Sequence, residues 1–295
     1  MDRTADWEVS VTDITLDNRC AKLAASVYGV ADAEPVLFLH GMSQSRDTWE
    51  EIALRLMSRH QVWTLDFRGH GHSDRASSYD FAGYISDAET VLEAIGRPTI
   101  IVGHSLGGCV AGVLAQGGHA YVRAVFLEDP PWYLGEPGEW EKSAFPRLFS
   151  IVSTQQAIWQ REKAPLSKYL EFVSNSPSPM GGIASDHFGS RHLLSNASAL
   201  QRQDGSCWRN VLSSGNDLAT IATGREFLCP ARIIHADPRF GAALLEGHEA
   251  RLRKTNPKAE IIHYIGSGHR PHAACAFEQR FIADLEGFVS TVLSP

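Results

Sequence analysis

The chain has 295 residues, 43% hydrophobic and 21% charged, a composition ordinary for a soluble globular protein and wrong for a disordered one. Lys plus Arg number 27 against 34 Asp plus Glu, and a net charge of −7 leaves no basic footprint for nucleic acid. The five cysteines (Cys20, Cys109, Cys207, Cys229, Cys275) contain no C-x-x-C pair, and no stretch approaches the roughly 18 apolar residues of a membrane-spanning helix. Residues 1–10 are polar and lack the apolar run of an export signal, so a reducing, cytoplasmic setting is expected. Segments 7–15 and 21–29 partly alternate apolar and polar residues around Asp17-Asn18 and predict a hairpin. From about residue 35, short buried-strand patterns (36–39, 62–65, 100–102, 124–127, 233–234 and 261–265) alternate with helical ones (48–59, 80–95, 106–116, 245–254 and 277–293). That rhythm predicts an α/β fold whose eight-stranded, mostly parallel sheet is flanked by helices. It breaks once, after the sixth strand, where about ninety residues carry no strand pattern. A single crossover is shorter than that, so we divide the chain into a core of 1–129 and 223–295 and an inserted helical cap of 130–222.

The strongest local motif is Gly103-His104-Ser105-Leu106-Gly107, between a predicted strand and a predicted helix. A serine at such a sharp turn projects its hydroxyl above the sheet, and glycines two residues to either side let the backbone pass. The helix it opens aims free N–H groups at any anion formed there, with Leu106 N–H the first oxyanion donor. A second donor is expected from Met42 N–H, in the loop His40-Gly41-Met42 after the third strand. His40 itself reads as a structural imidazole bonding loop backbone, Asp66 and Arg68 as a pair within their loop, and Cys109 as a small core residue.

Together with Asp66-Phe67-Arg68-Gly69-His70-Gly71-His72-Ser73 after the fourth strand, these motifs resemble the α/β-hydrolase superfamily over nearly the whole chain. The resemblance implies a nucleophile after strand five, an acid after strand six or seven and a histidine after strand eight. Gly266-Ser267-Gly268-His269 matches the family's Gly-x-Gly-His loop and makes His269 the general base; His263 and His272 are weaker candidates. The acid departs from the commonest pattern. The run His235-Ala236-Asp237-Pro238-Arg239 puts Arg239 at the usual position, and Asp237 comes two residues early beside a stiff proline. Leu127-Glu128-Asp129-Pro130-Pro131-Trp132 offers Asp129 after strand six, a placement also used by zearalenone-type lactonases, an amide hydrolase of vitamin B6 breakdown and cofactor-free quinolone dioxygenases. Asp129 is favoured, with Asp237 and then Glu128 as alternatives.

A serine nucleophile, a histidine base and two backbone donors perform acyl transfer to water without metal or organic cofactor. The family's haloalkane and epoxide enzymes attack with a carboxylate, against which Ser105 speaks; its peroxidases and lyases keep the serine. Trp132 and His104 are candidate substrate contacts. The cap carries eight charges of each sign, which points to a neutral, fairly apolar small molecule. The expected activity is cleavage of a carboxylic ester or lactone, such as the macrocycle zearalenone. Alternatives are a cofactor-free ring-cleaving dioxygenase, an amide or C–C bond hydrolase, and a non-catalytic receptor on the same fold. No nucleic-acid or membrane partner is expected, and a homodimer is compatible with this reading.

Overall fold

The computed structural model describes residues 11–213 and 216–294. It opens with β1 (Val11–Asn18) and β2 (Ala21–Tyr28), an antiparallel hairpin. The hairpin differs from expectation at its turn, which falls at Arg19-Cys20 while Asp17 and Asn18 stay in the ladder opposite Lys22 and Ala21. The reason is tertiary: Asn18 Nδ2 donates to Asp87 Oδ1 at 2.8 Å, drawing the strand end inward. Residues 7–10 of the expected hairpin lie outside the described residues.

Then follow β3 (Glu34–Leu39), α1 (Glu50–Leu56), β4 (His60–Leu65), α2 (Phe81–Ile95), β5 (Thr99–His104), α3 (Leu106–Gly117) and β6 (Val122–Glu128). The eight strands form one sheet in the order β1-β2-β4-β3-β5-β6-β7-β8, where β7 is Ala231–Ala236 and β8 is Glu260–Tyr264. β1 and β2 pair antiparallel, as do β2 and β4, and every pair from β4 to β8 is parallel. Pleating sends alternate residues to opposite faces. Leu37, Leu39, Ile101, Val125 and Ile233 pack with Tyr84, Val91 and Leu92 of α2 and Val110 and Leu114 of α3. Val36, Phe38, Ile100, Val102, Phe126 and Ile234 pack with Ile52 and Leu56 of α1 and with a C-terminal helix through Phe281, Leu285 and Phe288. Both faces are covered, which is why the parallel strands read as continuous apolar runs.

Between β6 and β7 the described residues contain no strand of the sheet; they form α4 (Glu139–Lys142), α5 (Phe145–Glu162), α6 (Leu166–Asn175), α7 (Ser190–Arg202) and α8 (Trp208–Leu212). These helices share a small core of their own around Tyr169, Val173, Leu193, Ala197, Leu200 and Trp208. Inside it, Gln156 accepts from Trp208 Nε1 at 2.5 Å and donates to the Leu200 carbonyl at 2.6 Å, so a buried amide is satisfied at both ends. After β7 come α9 (His248–Thr255), β8 and α10 (Glu278–Leu293). No helix among the described residues is long and apolar enough to cross a membrane.

The loop after β4 corrects a second expectation, for Asp66 and Arg68 do not pair with each other. Arg68 forks onto Asp87 of α2, with Nη2 to Oδ1 at 2.7 Å and Nε to Oδ2 at 3.0 Å. Asp66 accepts from Arg46 N–H at 2.7 Å and His72 N–H at 2.9 Å, and burial pushes its carboxyl up to about 6. One carboxylate folds the loop while the other anchors it to a helix.

Candidate active site

Ser105 stands between β5 and α3 with φ 52° and ψ −116°, a strained conformation for any residue with a side chain. Its N–H donates to the Glu128 carbonyl at 3.0 Å, fixing the turn to the end of β6. Gly103 and Gly107 are needed here because a Cβ on Gly103 would collide with the Gly107 backbone, and one on Gly107 with the Leu39 carbonyl. Met42, in the loop after β3, and Leu106 face the same space. Among the described residues neither Met42 N–H nor Leu106 N–H has an acceptor, so both stay available to an anion.

Across that space lies His269, in the loop after β8. Its Nδ1 is 2.6 Å from Asp129 Oδ2, so Nδ1 carries the proton and Nε2 offers a lone pair. Asp129 follows β6 with φ 41°, a left-handed conformation that aspartate tolerates better than most residues. Its carboxylate is wholly buried and also accepts from Ala243 N–H (2.7 Å) and Leu244 N–H (3.2 Å), which fix it before it meets the imidazole. The structure thus brings Asp129 and His269 together and keeps both alternative acids away. Asp237 accepts from Arg239 Nη2 (2.6 Å) and Gly266 N–H (2.9 Å), and the guanidinium holds its carboxyl far below the usual range. Glu128 points to the opposite side of its strand, 2.6 Å from His272 Nδ1, whose Nε2 meets Thr48 Oγ1 at 3.0 Å. His272 is therefore buried in a pair of its own, and burial pushes Glu128 up and His272 down.

Two expected substrate contacts are corrected. His104 is buried, with Nε2 donating to the His269 carbonyl at 3.0 Å and Nδ1 2.8 Å from Gln44 Oε1; it tethers the His269 loop from behind. Trp132 is fully buried too, set over Gly112 of α3 and edge-on to Phe227 with centroids 5.2 Å apart. Only a glycine at 112 leaves room for that indole, and a lone tryptophan in a sequence cannot reveal such a vacancy. His40 is structural as expected: Nδ1 donates to the Gly41 carbonyl at 2.8 Å, Nε2 accepts from Phe67 N–H at 3.1 Å, and burial keeps its pKa well below 6.5.

A cavity opens onto Ser105. The core supplies Met42, Tyr79, Phe81, Tyr84 and Leu106, and the inserted segment supplies Pro131, Trp140, Phe145, Phe149, Cys207, Val211 and Leu218. Asp217 is its single carboxyl, raised by desolvation, and Tyr79 spends its hydroxyl on Asp204 Oδ2 at 2.7 Å. The ring of Phe145 meets His269 edge-on at 5.0 Å, so the insert touches the imidazole as well as the cavity. No motif in the sequence marks these walls. Phe145 and Phe149, four apart on α5, carried a one-face signal that could have found them. Beyond this site, His235, Glu249 and His263 form a cluster able to hold a cation.

A family model described as "Alpha/beta hydrolase family" matches residues 36–280. The chain is 32% identical over 117 residues to "Serine hydrolase-like protein" of Danio rerio, a match covering 38% of this chain and 36% of that protein. It is 32% identical over 259 residues to "sn-1-specific diacylglycerol lipase ABHD11" of Mus musculus, covering 83% of this chain and 78% of the relative. The chain therefore spans about a third of the first relative and over three quarters of the second. Among solved structures, E-2-(acetamidomethylene)succinate hydrolase superposes with a TM-score of 0.71 at 17% identity, covering 95% of this chain and 100% of that one, a likeness of fold. With the sheet order, the elbow at Ser105 and a family match across most of its length, this chain belongs to the α/β hydrolase family.

Proposed function

We propose that the protein is a serine hydrolase that cleaves a carboxylic ester or lactone through an acyl-enzyme. The observation carrying this reading is the 2.6 Å contact of His269 Nδ1 with the buried Asp129, the imidazole lying against Phe145, which lines the same cavity as Ser105. His269 Nε2 takes the proton of Ser105 as the oxygen attacks the carbonyl, then returns it to the leaving alcohol. Met42 N–H and Leu106 N–H hold the oxyanion, and water repeats the sequence in reverse roles to release the acid. Asp129 accepts from two backbone donors as well as from the imidazole it orients.

The inserted segment 130–222 acts as a cap that selects the acyl or ring portion of the substrate. Its aromatic and aliphatic side chains match a bulky, apolar group, and the reading extends to macrocyclic lactones of the zearalenone kind. A pH-stat assay on macrocyclic lactones and short esters, with dissolved oxygen followed in the same vessel, tests this. Acid release by the wild type that is lost in Ser105→Ala supports it. Oxygen uptake without acid release, or acid release that persists in Ser105→Ala, overturns it.

A further inference from the structure

We propose that His235, His263 and Glu249 form a binding site for one divalent transition-metal ion of the zinc class, on the sheet edge. The two histidines stand directly opposite each other on adjacent parallel strands, His235 on β7 and His263 on β8, with ring centroids 5.2 Å apart. Glu249 comes from the first turn of α9, and its Oε2 lies 3.5 Å from His235 Nδ1 and 3.0 Å from His263 Nε2. In a tetrahedral site with bonds of about 2.0–2.1 Å, neighbouring ligand atoms are separated by about 3.3 Å. Both observed separations bracket that edge, and all three candidate donor atoms lie within 4.8 Å of one another.

The decisive observation is the buried nitrogen of His235. Its Nε2 donates to the Leu244 carbonyl at 3.1 Å, which places the proton there and leaves a lone pair on Nδ1. That Nδ1 has no hydrogen-bond partner among the described residues, although its side chain is only 7% exposed, and it faces a carboxylate oxygen. Two acceptors turned toward each other in a buried corner repel unless a cation lies between them. A backbone carbonyl holding the far nitrogen of a ligating histidine is also the usual way to fix its tautomer and ring orientation. The carboxylate is oriented similarly, since Arg253 Nε donates to Glu249 Oε1 at 2.7 Å and leaves Oε2 for a single bond to the ion. His263 is partly exposed and gives solvent a path to the site, so remaining positions on the ion fall to water.

Titration of the full chain with Co2+ followed by visible absorption, then displacement by Zn2+, reads this site directly once any affinity tag is removed. The expected result is one equivalent bound with the absorption of mixed nitrogen and oxygen ligation. Affinity should fall at least a hundredfold in His263→Ala and in Glu249→Gln, with unchanged circular dichroism. His192→Ala, in the separate cluster of Glu51, His192 and Glu278, should bind as the wild type does. Absence of binding at millimolar ion, or wild-type affinity in His263→Ala, overturns the proposal. Because Ser105 is untouched in every variant, the outcome is independent of whether the hydrolase reading holds.

Discussion

Asp129 does two things that Asp237 does not: it follows its strand in a left-handed turn, and its Oδ2 meets the imidazole of His269 as well as Ala243 N–H while Oδ1 accepts from Leu244 N–H. Replacing it with asparagine keeps the shape but favours the wrong imidazole tautomer. Asp129→Asn should therefore lower kcat by roughly 10⁴-fold with an unchanged thermal midpoint, measured by stopped assay and by circular dichroism. Asp237→Asn loosens only the Arg239 and Gly266 contacts, and kcat should stay within about tenfold of wild type. The strained turn at Ser105 was legible from the glycines of Gly103-His104-Ser105-Leu106-Gly107, whereas the pairing of Asp129 with His269 was expected only from a resemblance that left Asp237 open. His104 and Trp132 were misplaced because their surroundings come from remote chain, the His269 carbonyl in one case and the notch at Gly112 in the other.

At the level of elements, the elbow is a three-way junction in which β5, α3 and the end of β3 meet with no space for a methyl group. Gly107→Ala forces the helix away from the Leu39 carbonyl and should destabilise the fold by about 1–3 kcal/mol in urea unfolding, with activity lost in proportion to the displaced Leu106 N–H. Helix α5 plays a different part. Phe145→Ala opens the cavity beside His269, whereas Phe149→Ala opens it away from the imidazole, toward Trp208, which it meets at 5.1 Å. KM for a bulky ester should rise in both, but kcat should fall chiefly in the Phe145 variant, which a side-by-side saturation series would show. The sheet and its flanking helices were readable because apolar runs and their punctuation follow from backbone geometry. The hairpin turn shifted by two residues because a single buried amide, Asn18, outweighed local turn preference.

Taken whole, burial lowers many of the imidazoles among the described residues. Burial holds His70 and His192 at about 4 and drives His40 and His104 well below 6.5. On unfolding, each of these four would take up a proton below about pH 6.5, so their contribution is intact above that pH and is lost as the pH falls. Asp66, raised to about 6, and Asp87, also raised, work in the opposite sense, since the folded state holds their protons longer. Across the described residues, eight lowered imidazoles outweigh five raised carboxyls. The urea midpoint should fall as the pH drops from about 6.5 to 4.5, and His70→Gln should flatten that slope; a midpoint that rises toward acid would refute the assignment.

The cavity above Ser105 also has a thermal consequence. Its walls are hydrocarbon and aromatic faces with one carboxyl among them, so filling it removes apolar surface from water on both partners. Heat capacity must then drop when substrate is captured, and capture must become steadily more exothermic as the temperature is raised. Calorimetry on Ser105→Ala, which would hold an intact ester without turning it over, makes that slope measurable. For substrates of increasing acyl length the slope should steepen until the cavity is full and then level off, turning a thermodynamic titration into a ruler for the natural ligand.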